Sequence, residues 1–104
     1  MRDEVNLTPA QVRDRDAGAQ LLDVRQPWEF ARASLPGAVL IPLGELPLRL
    51  GELDPSRPVI VYCHHGARSY QALRFLAHSG FTQTAHLAGG IAAYSLLDPS
   101  IPQY

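Results

Sequence analysis

Seven consecutive residues, Cys63-His64-His65-Gly66-Ala67-Arg68-Ser69, gather the chain's only thiol, two imidazoles, a guanidinium and a hydroxyl around one glycine. The thiol follows the apolar run VIVY (59–62). An unbroken run of this kind suits a strand covered on both faces of a parallel sheet. A helical pattern opens at Ser69 and continues to Ser79, with Ala72, Phe75, Leu76 and Ser79 on one side and Leu73 beside them. The short stretch between must curl the chain from strand into helix. Gly66 supplies backbone freedom in the middle of that curl, and successive amides there can point inward as an anion-binding nest. The helix start adds unpaired N–H groups and partial positive charge; Arg68 adds a full charge. A helix N-terminus contributes up to about 2 kcal/mol, and each charge-assisted amide hydrogen bond about 1.5–3 kcal/mol. Such surroundings favour thiolate over thiol. The chemistry implied is a cysteine nucleophile in a cradle for an anionic group.

Each of these residues also has a plainer reading. A lone cysteine is more often an inert core residue, since free Cys is among the most buried types. Strand end, glycine, arginine and helix start occurring together favour the nucleophile. His64 and His65 are candidates to contact an anionic substrate or to polarise the thiol; either ring could equally stand at a pocket mouth without a role. A zinc site is not expected, because three successive loop residues rarely converge on one ion and no fourth ligand is in view. His78 and His86 read as helix-surface and strand residues with no role. Asp23 and Arg25 could orient loop groups, and Asp23 could equally serve a turn. Glu29 reads equally as a surface acid or a first-turn helix acid. Gly89-Gly90 reads as a turn that lets backbone pass near the active loop, and Trp28 and Phe30 read as packing residues.

The elements that must position these residues are short and punctuated by Pro and Gly. Thr8-Pro9-Ala10-Gln11 has the signature of a helix start, with a capping residue, proline at the first helical position and a glutamine three residues after the cap. That helix is expected to reach about Asp16. Strands are expected at 19–24, 38–41, 59–62 and 84–87. A short helix is expected at 27–32 and another after Gly90. A loose helical stripe is expected at Leu46, Leu50 and Leu53, weakened by Pro47 and Gly51. Strands alternating with helices imply an α/β fold with a mostly parallel sheet. Ligands in such sheets bind beyond the carboxyl ends of the strands, which is where Cys63 falls.

Composition narrows the field further. The 104 residues carry a net charge of −1, with 46% hydrophobic and 18% charged residues. That length fits one domain over residues 1–104, with a radius of gyration near ~13 Å. One cysteine excludes an internal disulfide framework and any Cys-pair zinc site. All nine basic residues are Arg, which excludes Schiff-base chemistry and a lysine-dependent phosphate loop. The balanced charge offers no footprint for nucleic acid or membrane. No apolar run approaches the ~20 residues of a membrane span, and MRDEVNLTP lacks the apolar stretch of a signal peptide. A cytoplasmic protein is the expectation.

Four segments resemble the rhodanese family of sulfurtransferases, in its single-domain form. LLDVRQPWEF (21–30) resembles the family's Asp-Val-Arg…Glu-aromatic segment, and LPGAVLIP (35–42) its Ile-Pro-Gly-Ala…Ile-Pro segment. CHHGARS (63–69) is similar to the Cys-x-x-Gly-x-Arg-Ser active-site loop, and LAGGIAAY (87–94) to the Leu-x-Gly-Gly-x-x-Ala-Trp segment. Two positions depart from the pattern: Ala33-Ser34 replace a frequent Gly-His, and Tyr94 replaces the tryptophan. The resemblance implies three layers, with a five-stranded parallel sheet, helices on both faces and the strand before Cys63 near the centre.

It also implies transfer of sulfane sulfur through a persulfide on Cys63. The donor would be thiosulfate or a persulfide, and the acceptor cyanide or a thiol. His64, His65, Gly66, Ala67, Arg68 and Ser69 would surround the substrate, and no cofactor or metal would be needed. Arg68 would either bind the anionic donor or brace the loop through Glu29 or Asp23. A sulfur-relay protein is a possible partner, and a persulfide carrier that delivers sulfur to it is the alternative to an enzyme. Phosphatases and arsenate reductases of similar fold use Cys-x5-Arg; the Cys-x4-Arg spacing here favours sulfur over a phosphoryl group.

Overall fold

Among the described residues, five short parallel strands form one sheet, in the spatial order Asn6–Leu7, Thr84–Leu87, Val59–Tyr62, Gln20–Asp23 and Val39–Leu40. A computed structural model of the chain describes residues 5–103. In chain order the elements are β1 (Asn6–Leu7), α1 (Pro9–Arg13), β2 (Gln20–Asp23), α2 (Pro27–Arg32) and β3 (Val39–Leu40). Two 3₁₀ turns follow at Leu43–Leu48 and Leu50–Glu52, then β4 (Val59–Tyr62), α3 (Ala67–His78), β5 (Thr84–Leu87) and α4 (Gly90–Leu97). The Cα radius of gyration is 12.5 Å, close to what the length predicts. The part of the amino-terminal reading that falls on residues 1–4 lies outside the described residues. No helix among those described is long and apolar enough to cross a membrane.

The strands alternate between two cores, which places helices on both faces of the sheet. Val59, Val61 and Cys63 pack with Leu22, Val24, Leu46, Leu53, Ala72 and Leu76 on the α3 face. Ile60 and Tyr62 pack with Leu21, Val12, Leu87, Ile91 and Tyr94 on the face that α1 and α4 cover. All four residues of β4 are buried. This is the arrangement expected of an apolar strand at the centre of a parallel sheet. Thus the three layers, the five strands and the central position of β4 match the sequence-based expectation.

Local details differ where pairing or helix geometry overrides pattern. The strand β1 was not expected; its two residues are held by register with β5, Asn6 opposite His86 and Leu7 opposite Leu87. The α1 start is as expected: Thr8 Oγ1 accepts from Gln11 N–H, and Gln11 Oε1 from Thr8 N–H. The helix ends at Arg13 rather than near Asp16. The expected stripe of Leu46, Leu50 and Leu53 is two 3₁₀ turns, because Pro47 lies inside the first and cannot supply a helical N–H. Trp28 does not pack into the core. It is 59% exposed, with the Arg32 guanidinium 5.8 Å from its ring centre; Glu29 is the one buried residue of α2, and Phe30 is half-buried.

Candidate active site

β4 ends at Tyr62 and α3 begins at Ala67, so the loop between them is four residues long. The helix starts two residues earlier than its hydrophobic pattern suggests, and Arg68 stands in its first turn. Gly66 makes this possible. It sits just before the helix with φ +127°, a backbone conformation that residues with a Cβ rarely adopt. The turn it allows brings two amides onto the Cys63 sulfur. Gly66 N–H donates to Sγ at 3.0 Å and Ser69 N–H donates at 3.3 Å. Cys63 itself is 1% exposed and lies at the floor of the loop. His64, Gly66 and Arg68 are half-buried above it, and His65 and Ala67 are exposed.

The loop's carbonyls are drawn the other way. Cys63 C=O accepts from Ile91 N–H at 2.9 Å, and His64 C=O accepts from Ala92 N–H at 3.1 Å. The first turn of α4 therefore holds the back of the loop while its amides face the sulfur. Gly90 is the hinge of that contact. Its φ is +66°, and a Cβ there would collide with the His64 carbonyl and stand 2.5 Å from the Cys63 carbonyl oxygen. The expectation that Gly89-Gly90 lets backbone approach the loop is met at Gly90.

Arg68 braces the loop through Glu29. Nη1 and Nη2 donate to Oε1 and Oε2 at 2.7 and 2.9 Å. Such a paired geometry is the strong form of a guanidinium–carboxylate contact. Glu29 is thus neither a surface acid nor only a first-turn acid. It is 5% exposed and also accepts from Gln26 N–H at 2.9 Å. The hydrogen bond from Arg68 outweighs burial and holds the Glu29 carboxyl down at about 2. Asp23 is engaged elsewhere. It takes the fully buried Arg25 guanidinium at 2.7 Å and Arg25 N–H at 3.0 Å. Arg25 in turn donates to Ala33 C=O at 2.6 Å.

The Glu29–Arg68 pair has a testable pH signature. The folded carboxyl titrates lower than the unfolded one, so its contribution is complete above about 4.5 and is lost as pH falls toward about 2. Arg68 is 35% exposed, which reduces the pair's worth below that of a fully buried one. Glu29→Gln is expected to lower stability by about 1–3 kcal/mol at neutral pH. In urea unfolding the gap to the parent should close as pH approaches about 2. A gap that persists there would show that the loss is not ionic.

The remaining candidates fall as follows. Burial, then the neighbouring His65, lowers the His64 pKa, which favours a neutral ring at neutral pH. The two rings meet edge to face at 4.2 Å and line a cavity of about 330 Å³ with Ile91, Ala92, Ser95 and Leu96. A larger cavity of about 840 Å³ opens at the amino ends of β4 and β5, by Val59 and Thr84. It contains none of the loop residues, so volume does not locate the chemistry here. Sequence reasoning missed His86. It is 6% exposed, and its Nδ1 lies 2.9 Å from Ser69 Oγ. A histidine within the short strand segment TAHL was the available signal, since polar groups that become buried require partners.

With this geometry in place, comparisons with known proteins agree. The family model for the rhodanese-like domain matches residues 8–97. The chain is similar to a sulfurtransferase of Allochromatium vinosum, 40% identical over 75 residues, which cover 72% of this chain and 70% of that protein. It is 33% identical over 101 residues to the thiosulfate sulfurtransferase GlpE of Stutzerimonas stutzeri, covering 96% of this chain and 93% of the relative. A solved rhodanese-related protein from Thermoplasma volcanium has a TM-score of 0.86 at 26% identity, covering 96% of this chain and 99% of the other.

Proposed function

The chain belongs to the rhodanese-like domain family, and from that premise we propose that it transfers sulfane sulfur through a persulfide on Cys63. The supporting observation is the Cys63 sulfur receiving the Gly66 and Ser69 amides at the carboxyl end of the central strand. In the first step the Cys63 thiolate attacks the outer sulfur of a donor such as thiosulfate. The donor's S–S bond breaks, sulfite leaves with the electron pair, and Cys63 carries a persulfide anion. In the second step a cyanide or thiolate acceptor attacks the terminal sulfur, and Cys63 leaves as thiolate. Charge balances in both steps, and the two half-reactions predict ping-pong kinetics.

Each residue of the loop has a part in this reading. The amides between residues 64 and 69 stabilise negative charge on the sulfur. His64, His65 and Ala67 form the mouth through which a small anionic donor enters. Arg68 holds the loop's shape through Glu29 and adds positive potential over the donor. The unit proposed to act is one domain spanning residues 1–104, in the cytoplasm, with no resident cofactor.

Steady-state formation of thiocyanate from thiosulfate and cyanide tests the enzyme directly. Sustained turnover with ping-pong patterns is the expected result. Loading of one sulfur without turnover would instead assign a carrier that hands its sulfur to a partner protein. A chain that neither loads nor turns over would remove the proposal.

A further inference from the structure

Cys63, one residue past the end of β4, and His86, on the adjacent β5, face the same side of the sheet. Side chains two residues apart in a strand share a face, so Cys63 follows Val61, and Val61 pairs in register with His86. The helix α3 covers that face and places Ser69 between the two. Ser69 Oγ lies 3.6 Å from Cys63 Sγ, with the thiol donating, and 2.9 Å from His86 Nδ1. On its far side, His86 Nε2 donates to Asn6 Oδ1 at 2.6 Å, because β1 pairs Asn6 with His86. The carbonyl oxygen of Asn6 only accepts, which fixes the proton of the neutral ring on Nε2. Nδ1 is then the acceptor and Ser69 Oγ–H its donor. Cys63 and His86 are both buried, while Asn6 is exposed.

We propose that His86 is a positioning residue that takes the proton of the Cys63 thiol through the Ser69 hydroxyl. This rests on the reading of Cys63 as the nucleophile. The S–H bond breaks and its electron pair stays on sulfur. The proton passes to Ser69 Oγ as the Ser69 proton passes to His86 Nδ1, so Ser69 begins and ends neutral. The products are a thiolate and an imidazolium whose Nε2–H remains on Asn6 Oδ1. In that state Nδ1–H donates to Ser69 Oγ and the hydroxyl proton turns to the sulfur, adding a third donor to the Gly66 and Ser69 amides. The same donor then serves the persulfide anion. Ser69 Oγ also lies 3.1 Å from Gly66 C=O, and that carbonyl is the hydroxyl's alternative acceptor. The charge state of His86 decides whether the hydroxyl proton faces Nδ1, with the ring neutral, or the sulfur, with the ring charged.

Among the described residues, the groups facing His86 are Asn6 from β1, Val61 from β4, Ser69 and Tyr70 from α3, and Cys63 and Gly66 from the loop. Cys63 and Tyr70 are the titratable ones, and the Tyr70 ring meets the imidazole edge to face at 5.9 Å.

The test is the rate of iodoacetamide alkylation at Cys63, taken as the ratio between about pH 6 and about pH 10, in the parent, Ser69→Ala and His86→Asn. The asparagine variant keeps a side-chain group able to bond Ser69 but cannot hold a proton. Both variants are expected to lower the ratio on the order of tenfold, the effect of one lost hydrogen bond to a charged group. A parental ratio in both would overturn the relay, and a parental ratio in His86→Asn alone would reduce His86 to a structural partner. Sulfur uptake from thiosulfate by the parent is measured alongside. Uptake with unchanged ratios sinks the relay and leaves transfer standing; lowered ratios without uptake do the reverse.

Discussion

Cys63→Ser is expected to fold like the parent and to take up no sulfur. The substitution replaces one buried atom by a smaller one that still accepts hydrogen bonds, so the Gly66 and Ser69 amides keep a partner. Its cost in stability should stay near 1 kcal/mol. The chemistry has no such substitute. A serine hydroxyl is a far weaker nucleophile than a thiolate, and its oxygen cannot carry a persulfide. Transfer from thiosulfate should fall to background, a loss of at least about 1,000-fold by analogy with other covalent catalysts deprived of their nucleophile. Thermal unfolding and near-ultraviolet circular dichroism establish that the variant is folded; thiocyanate formation above background in a folded variant would exclude Cys63 as the acceptor of sulfur.

The second large effect is expected far from the thiol in sequence. Gly90→Ala forces a Cβ against the backbone carbonyls of Cys63 and His64, atoms with no side-chain freedom to yield. The φ of +66° adds the cost of a left-handed conformation in a residue with a Cβ. Strain and overpacking together should cost about 2–5 kcal/mol, a drop in melting temperature of about 10 °C or more. The damage should also reach the chemistry. Separating α4 from the loop breaks the Ile91 and Ala92 hydrogen bonds that hold the loop's carbonyls outward, and the amides facing the sulfur lose their alignment. At temperatures where the variant is folded, sulfur loading should be at least about tenfold slower than in the parent. Gly44→Ala is the control, since a Cβ there meets nothing within 4 Å. Parental stability and loading in Gly90→Ala would refute the role given to the α4 contact.

What the sequence made legible is what it encodes locally. VIVY, Cys63, Gly66 and the helix after them follow one another without interruption, so a strand, a tight curl and a nucleophile at its end are readable as one unit. Gly89-Gly90 was readable for the same reason, because paired glycines ahead of a helix imply backbone contact. The illegible parts are pairings across long separations. Glu29 reaches Arg68 over 39 positions, a pairing that only the family resemblance offered and then beside Asp23, and His86 reaches Asn6 over 80; no periodicity in a single chain announces either. The strand β1 has only two residues, too few to show alternation, and exists because β5 offers it an edge. The two-residue error at the start of α3 has a related origin. Hydrophobic spacing marks the part of a helix that is buried, whereas Gly66 sets where the helix begins. Trp28 was misread because an aromatic residue ordinarily faces inward; here a carboxylate committed to Arg68 takes that position.

The central claim is a sulfur held as an anion by main-chain amides and able to accept a second sulfur. Intact-mass spectrometry of the parent chain after thiosulfate, followed by cyanide, tests it most directly. The expected record is a gain of one sulfur atom, located on the peptide containing Cys63, and a return to the starting mass once cyanide is added. An unchanged mass in thiosulfate, or a gain that cyanide does not reverse, would contradict the account.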